Sequence, residues 1–222
     1  MCGKDRFRNL ALLSAGTLAG TLAGTEAASA EGRNGSEAPK KPNILFFLVD
    51  DLGWSDIGCF GSRFHETPNI DRLAEEGVRF TNAYAACHVS SPTRASLMTG
   101  RYPASIRLTD WLPGRKNWPF QRLLNAPVEQ HLPFEEITVA ETLRDNGYAT
   151  AIIGKWHLGK GDSNPLAHGF DEHIPLGYNE GWPQGYYAPF RLNGYEGEEG
   201  EYLTDVMTRE ATKYIEEHKD GP

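Results

Sequence analysis

Apolar positions along the chain fall into a few runs, separated by stretches rich in Gly, Pro and charge. Asn43 to Val49, NILFFLV, is continuously apolar after its first residue. That is the pattern of a strand buried on both faces of a parallel sheet. The run ends in Asp50-Asp51, then Leu52-Gly53-Trp54. Two carboxylates at the end of a central strand lie where open α/β sheets place their ligand crevice. Alone, such a pair serves equally well as a strand-end turn or a helix cap. Pro68 to Glu76 has helical spacing, with Ile70, Leu73 and Ala74 on one side and Gly77 as its stop. Val78 to Tyr84 reads as a second strand, leading through Ala85–Val89 into SSPTRASLMTGR, Ser90 to Arg101. Pro92 suits the first turn of a helix, where its missing N–H costs nothing, and Arg94 lies one turn beyond Ser90 on the same face.

Further on, Arg107 to Pro133 is rich in Pro, Trp and Gly and reads as a long surface excursion. Ile137 to Asn146 predicts a helix with Val139, Ala140 and Leu143 inward and Gly147 after it. Tyr148 to Ile153 is a third buried strand, running into Gly154-Lys155-Trp156-His157-Leu158-Gly159. On an extended segment, Lys155 and His157 would face one side and Trp156 the other. Gly177 to Phe190 is an aromatic, Gly/Pro-rich loop that packs on the domain edge or stacks on sugar rings. Glu201 to Lys219 is an amphipathic helix burying Leu203, Val206, Met207, Ala211, Tyr214 and Ile215. Strands alternating with helices, without internal repeats, predict an α/β sandwich with a mainly parallel sheet.

The 222 residues suffice for one sizeable domain. With 22 basic against 30 acidic side chains the net charge is −8, which argues against nonspecific nucleic-acid binding. Residues 1–30 read as an export signal: Lys4, Arg6 and Arg8, an apolar run from Leu10 to Ala23, and a small-residue cleavage site at Ala28-Ser29-Ala30. The run is too short to span a bilayer, so no stable membrane anchor is expected, and the protein would be periplasmic or secreted. Residues 31–41 form a polar linker, and the folded part begins at Pro42. Of the three cysteines, Cys2 would leave with the signal, and Cys59 and Cys87 show no zinc-type spacing.

Three blocks resemble the sulfatase family over Pro42 to about Phe170. Ser90-Ser91-Pro92-Thr93-Arg94, with Leu97-Met98-Thr99-Gly100-Arg101 behind it, resembles the family's Ser/Cys-x-Pro-x-Arg motif. Asp50-Asp51 is similar to its acidic pair, and Gly154 to Gly159 to its Gly-Lys-Trp-His-Leu-Gly block. Cys87 lies outside the motif frame and is a small packing residue. The resemblance implies an alkaline-phosphatase-like sandwich, with Ser90 oxidised to formylglycine by a maturation enzyme. A hydrated aldehyde has two hydroxyls, one to attack sulfur and one to expel sulfate afterwards; plain serine has no second hydroxyl. The resemblance further implies calcium, or magnesium, on Asp50, Asp51 and the side chain at position 90. Arg94 would stabilise the nucleophile, Lys155 would hold sulfate oxygens, and His157 would hydrogen-bond a formylglycine hydroxyl. His168 in His-Gly-Phe-Asp resembles a mainly structural turn of the family, and Thr67-Pro68-Asn69 a common family segment after the acidic pair. The substrate would be a sulfated small molecule or carbohydrate. Two alternatives stay open: a phosphomonoesterase or phosphodiesterase using unmodified Ser90, and an inactive remnant. Family members carry further site residues that match nothing before Pro222, so 42–222 is expected to be the N-terminal part of a longer catalytic domain, incomplete at its C-terminus.

Overall fold

A computed structural model describes residues 41–174, 185–190 and 197–222. The expected export signal and nearly all of the linker lie outside the described residues, as does much of the aromatic loop 177–190. The centre is a parallel pair, β1 (Ala151–Ile153) and β2 (Glu172–Ile174), in the register Ala151 to Glu172, Ile152 to His173 and Ile153 to Ile174. Successive strand residues point to opposite faces, and each face of β1 has its own core. Ile152 packs with Ala95, Ile106, Leu108, Leu132, Trp156 and Leu158. Ile153 and Ile174 pack with Ala188, Phe190, Leu203 and Val206. Two layers on one parallel pair make the sandwich that the strand–helix alternation predicts.

Helix α1 (Pro68–Glu76) and helix α2 (Ser90–Thr99) form where expected, and a one-turn α3 (Pro103–Ile106) follows. The last turn of α2 closes at Gly100, whose left-handed φ of 68° lets its N–H reach the Ser96 carbonyl. Helix α4 (Val139–Asp145) starts two residues later than its apolar spacing suggests. Thr138 decides this: its hydroxyl accepts from the Glu141 N–H while the Glu141 carboxylate accepts from the Thr138 N–H, a closed capping box. In consequence Ala140 is buried but Val139 is turned outward. Helix α5 (Leu203–His218) buries Leu203 and Val206 and half-buries Met207, Ala211, Tyr214 and Ile215, the stripe its spacing predicts. Just after it, the Pro222 carbonyl accepts from the Ala149 N–H at 3.1 Å, beside the start of β1.

Two expected strands do not form in the described residues. Asn43–Val49 forms no strand, and its apolar side chains except Leu45 are exposed, up to 72% at Phe47. Val78–Tyr84 is likewise unpaired, with Val78, Phe80 and Tyr84 open to solvent. A strand buried on two faces needs ladder partners at its edges and a layer on each side. Among the described residues β1 and β2 pair only with each other, and neither apolar run joins their outer edges. The third run pairs only over its last three residues. Thr150, just before them, is tied to the turn ahead of β2: its N–H and hydroxyl both reach the Asp171 carboxylate, at 2.9 and 3.0 Å.

The excursion from Arg107 to Pro133 is less superficial than its composition suggests. Leu108, Leu112 and Leu132 are buried, and the Leu132 N–H donates to the Leu158 carbonyl at 2.8 Å. Apolar anchors thus fasten a polar loop to the core. Among the described residues, no helix is long and apolar enough to cross a membrane, and Cys59 and Cys87 are both free.

Candidate active site

Three segments meet at Ser90, the first residue of α2. The carboxyl end of 43–49 delivers Asp50, the helix delivers Ser90 and Arg94 one turn apart, and the turn after β1 delivers Lys155. The Ser90 hydroxyl donates to Asp50 Oδ1 at 3.1 Å, with Oδ2 at 3.4 Å, and accepts from Lys155 Nζ at 2.9 Å. Lys155 also forms an ion pair with Asp50. Arg94 Nη2 stands 3.6 Å from Asp50 Oδ1, and its Nη1 donates to the Lys155 carbonyl at 2.6 Å. The guanidinium therefore fixes both the carboxylate and the backbone that carries the lysine.

Electrostatics at this cluster follow from burial and paired charge. Burial alone would raise Asp50, but the hydrogen bond and charge of Lys155, the charge of Arg94 and the Ser90 hydroxyl together hold the carboxyl below its ordinary value. Burial pushes Arg94 down against the opposing pull of Asp50. The site is thus an ionised carboxylate between two cations, with a hydroxyl wedged among them.

Lys155 and His157 do not share a face by strand alternation, as an extended segment would require. The chain turns here: Gly154 has φ 103°, His157 φ 58° and Gly159 φ 136°. A left-handed histidine is uncommon and is held by its surroundings. Trp156 and Leu158 are fully buried, and the Trp156 indole N–H donates to the Ser163 carbonyl at 3.0 Å. The turn leaves Lys155 on Ser90 while the His157 ring meets the Leu112 carbonyl at 3.0 Å through Nε2. No bond from His157 to Ser90 is formed. Burial first, then the charges of Lys155 and Arg94, hold His157 below its ordinary value, against the pull of the Leu112 hydrogen bond.

His168 is buried, stacks on Phe134 with ring centroids 5.0 Å apart, and meets the Ser163 hydroxyl at 3.0 Å. Gly169 after it has φ 98°, and a Cβ there would lie 2.4 Å from the Glu141 backbone nitrogen. The Thr67 hydroxyl accepts from the Gly58 N–H and donates to Asp71, bracing the start of α1. Cys87 is half-buried, and its carbonyl accepts from the Thr93 hydroxyl at 2.7 Å.

For a divalent cation, Asp50 and Asp51 offer hard carboxylate oxygens of the right chemistry. No group of three or more His, Cys, Asp or Glu side chains forms among the described residues. Together with the position-90 oxygen, the pair falls short of the roughly six to eight donors that calcium takes. The donor type fits; the number is partial.

Sequence reasoning missed Leu112. Its contribution is a backbone amide and carbonyl, which leave no mark in the pattern of residue types.

Comparison with known proteins agrees with the geometry. A family model described as Sulfatase matches residues 42–222. N-acetylgalactosamine-6-sulfatase of Canis lupus familiaris is 37% identical over 210 residues, covering 84% of this chain and 38% of that protein. Human steryl-sulfatase is 45% identical over 143 residues, covering 61% of this chain and 24% of its own length. Among solved structures, Ps i-CgsB matches with a TM-score of 0.64 at 32% identity, over 80% of this chain and 42% of that one. A protein solved in complex with its substrate, D-glucosamine-2-N,6-O-disulfate, matches with a TM-score of 0.60 at 34% identity, over 80% of this chain and 31% of its own. Fold and site together define an α/β sandwich of the alkaline-phosphatase-like class. The chain belongs to the sulfatase family. It spans about 38% of the length of the N-acetylgalactosamine-6-sulfatases it matches.

Proposed function

We propose that the chain carries the nucleophile of a sulfate ester hydrolase, with formylglycine at position 90. The observation that carries this reading is the placement of the Ser90 oxygen between Lys155 and Asp50 at the start of α2. A formylglycine there would supply a hydrated aldehyde as the nucleophile. Around it, Lys155 Nζ offsets negative charge at the position-90 oxygen and on an incoming sulfate. Asp50 accepts a hydrogen bond from the position-90 hydroxyl, and Arg94 holds Asp50 and the Lys155 backbone in register. The site is set for attack at a tetrahedral oxyanion ester. The substrate class is a sulfated small molecule or carbohydrate, a reading supported by the glucosamine disulfate that a structural relative takes as substrate.

Serine-type maturation is tested directly. When the protein is produced with the maturation enzyme, the tryptic peptide from Phe80 to Arg94 is expected to lack two hydrogens at Ser90 in tandem mass spectrometry. An intact Ser90 from a competent host sinks this reading and favours the phosphomonoesterase or phosphodiesterase alternative, in which the unmodified hydroxyl acts.

Asp50 and Asp51 would hold the divalent cation, calcium or magnesium, together with the position-90 oxygen. The cation would supply positive charge that stabilises the nucleophile. Calorimetry on the Asp50→Asn/Asp51→Asn double variant is expected to show weakened calcium binding. Equal affinity in the wild type and the double variant refutes the assignment.

A further inference from the structure

We propose that Ser91 is a positioning residue for His157, acting through the backbone of Leu112. The proposal rests on the hydrolase reading of position 90 and deepens it, since it concerns how the histidine beside that site is oriented.

The chain of contacts is short and buried. Ser91 is the second residue of α2, adjacent to Ser90, and none of it is exposed. Its Oγ accepts from the Leu112 N–H at 3.1 Å. The Leu112 carbonyl, on the same residue, faces His157 Nε2 at 3.0 Å. A carbonyl oxygen has no proton to give, so this contact is a hydrogen bond only when Nε2 carries the hydrogen. In a neutral imidazole with Nε2–H, Nδ1 is a bare lone pair. His157 Nδ1 is buried and has no hydrogen-bond partner among the described residues. The Leu112 carbonyl thus selects a tautomer whose free nitrogen accepts a hydrogen bond or a proton, which is what a hydroxyl at the reacting centre would donate.

Leu112 could not do this unaided, because it lies in the long excursion between α3 and α4. Ser91 is the side chain that pins its amide. A buried helical serine more commonly returns its hydroxyl to the carbonyl one turn back. Ser91 instead binds a backbone amide 21 residues away. The same serine is covalently next to the nucleophile, so the bond ties three things into one register: the start of α2, the Leu112 backbone and the left-handed turn at His157. Ser91 touches no reacting atom; it acts through the Leu112 backbone on the orientation of His157.

The test reads the tautomer rather than turnover. The 222-residue chain, labelled with 15N-histidine and left unmodified at Ser90, is examined by long-range 15N–1H correlation of the imidazole rings. Wild type is expected to show His157 as a single Nε2–H tautomer. Ser91→Ala is expected to lose that single tautomer and to speed exchange of the ring N–H with water. Ser91→Thr, which keeps the hydroxyl, is expected to restore both. His168 serves as the internal control, because its ring is held by Phe134, Trp156 and Ser163. An unchanged His157 tautomer in Ser91→Ala overturns the proposal. Loss of the His157 and His168 signatures together, without recovery in Ser91→Thr, assigns Ser91 to packing and overturns it too. A failure of Ser90 to mature would remove the sulfatase reading while leaving this measurement intact.

Discussion

Trp156→Ala is expected to lower the unfolding free energy by about 3–5 kcal/mol. Trp156 is 1% exposed and stands at the centre of the first core, packed with Leu108, Leu132 and Leu158. Its ring meets Phe170 edge-on at 6.3 Å and lies tilted over His168 at 5.5 Å. The indole N–H also satisfies the Ser163 carbonyl, so truncation opens a cavity and orphans a buried acceptor at once. Against a domain stability of about 5–15 kcal/mol, the loss consumes much of what holds the fold. Trp54 gives the comparison, since it is 82% exposed and its removal should stay within roughly ±0.5 kcal/mol. Urea unfolding of the two variants decides the matter. Equal midpoints would show that the segment from Gly154 to Gly159 is not anchored through this ring.

The second large effect concerns turnover. The 222-residue chain, matured at Ser90, is expected to hydrolyse a chromogenic aryl sulfate on the order of a hundredfold more slowly than one of the sulfatases it resembles, because misplacing a reacting group by about 1 Å can cost that much. Asp50 is the group at risk. It hangs from Asn43–Val49, which has no ladder partner among the described residues and lies open to solvent, so no described strand holds its backbone. The cation donors are also partial among the described residues. Aggregation is the accompanying expectation, since the run from Ile44 to Val49 is apolar and available for pairing. Comparable turnover by the two proteins would show that Lys155 and Arg94 hold Asp50 well enough without a sheet.

Much of the site was legible because its chemistry is local. Ser90 and Arg94 share a helix face by spacing alone, and the structure brings both to Asp50. Lys155 was reachable through its block, although the reason given by strand alternation was wrong. Gly154, His157 and Gly159 all take left-handed backbone, so the segment is a turn, and residue parity says nothing about which side chains face together. His157 accordingly meets the Leu112 carbonyl instead of Ser90. The excursion from Arg107 to Pro133 misled by its average: three leucines fasten it inside, while its composition reads as surface.

By itself the sequence determined whatever depends on neighbours within one or two turns. The amphipathic stripe of α5, the start of α2 beside Ser90 and the structural role of the His168–Gly169 turn all belong here. It also established the family, since three separated blocks in order are specific in a way that no single block is. Tertiary structure alone decided which apolar runs become strands, because a two-faced strand is defined by the edges and layers around it rather than by its own residues. It alone decided the tautomer of His157 as well. That choice is made by a carbonyl 45 residues away, and a backbone carbonyl is the same group in every residue.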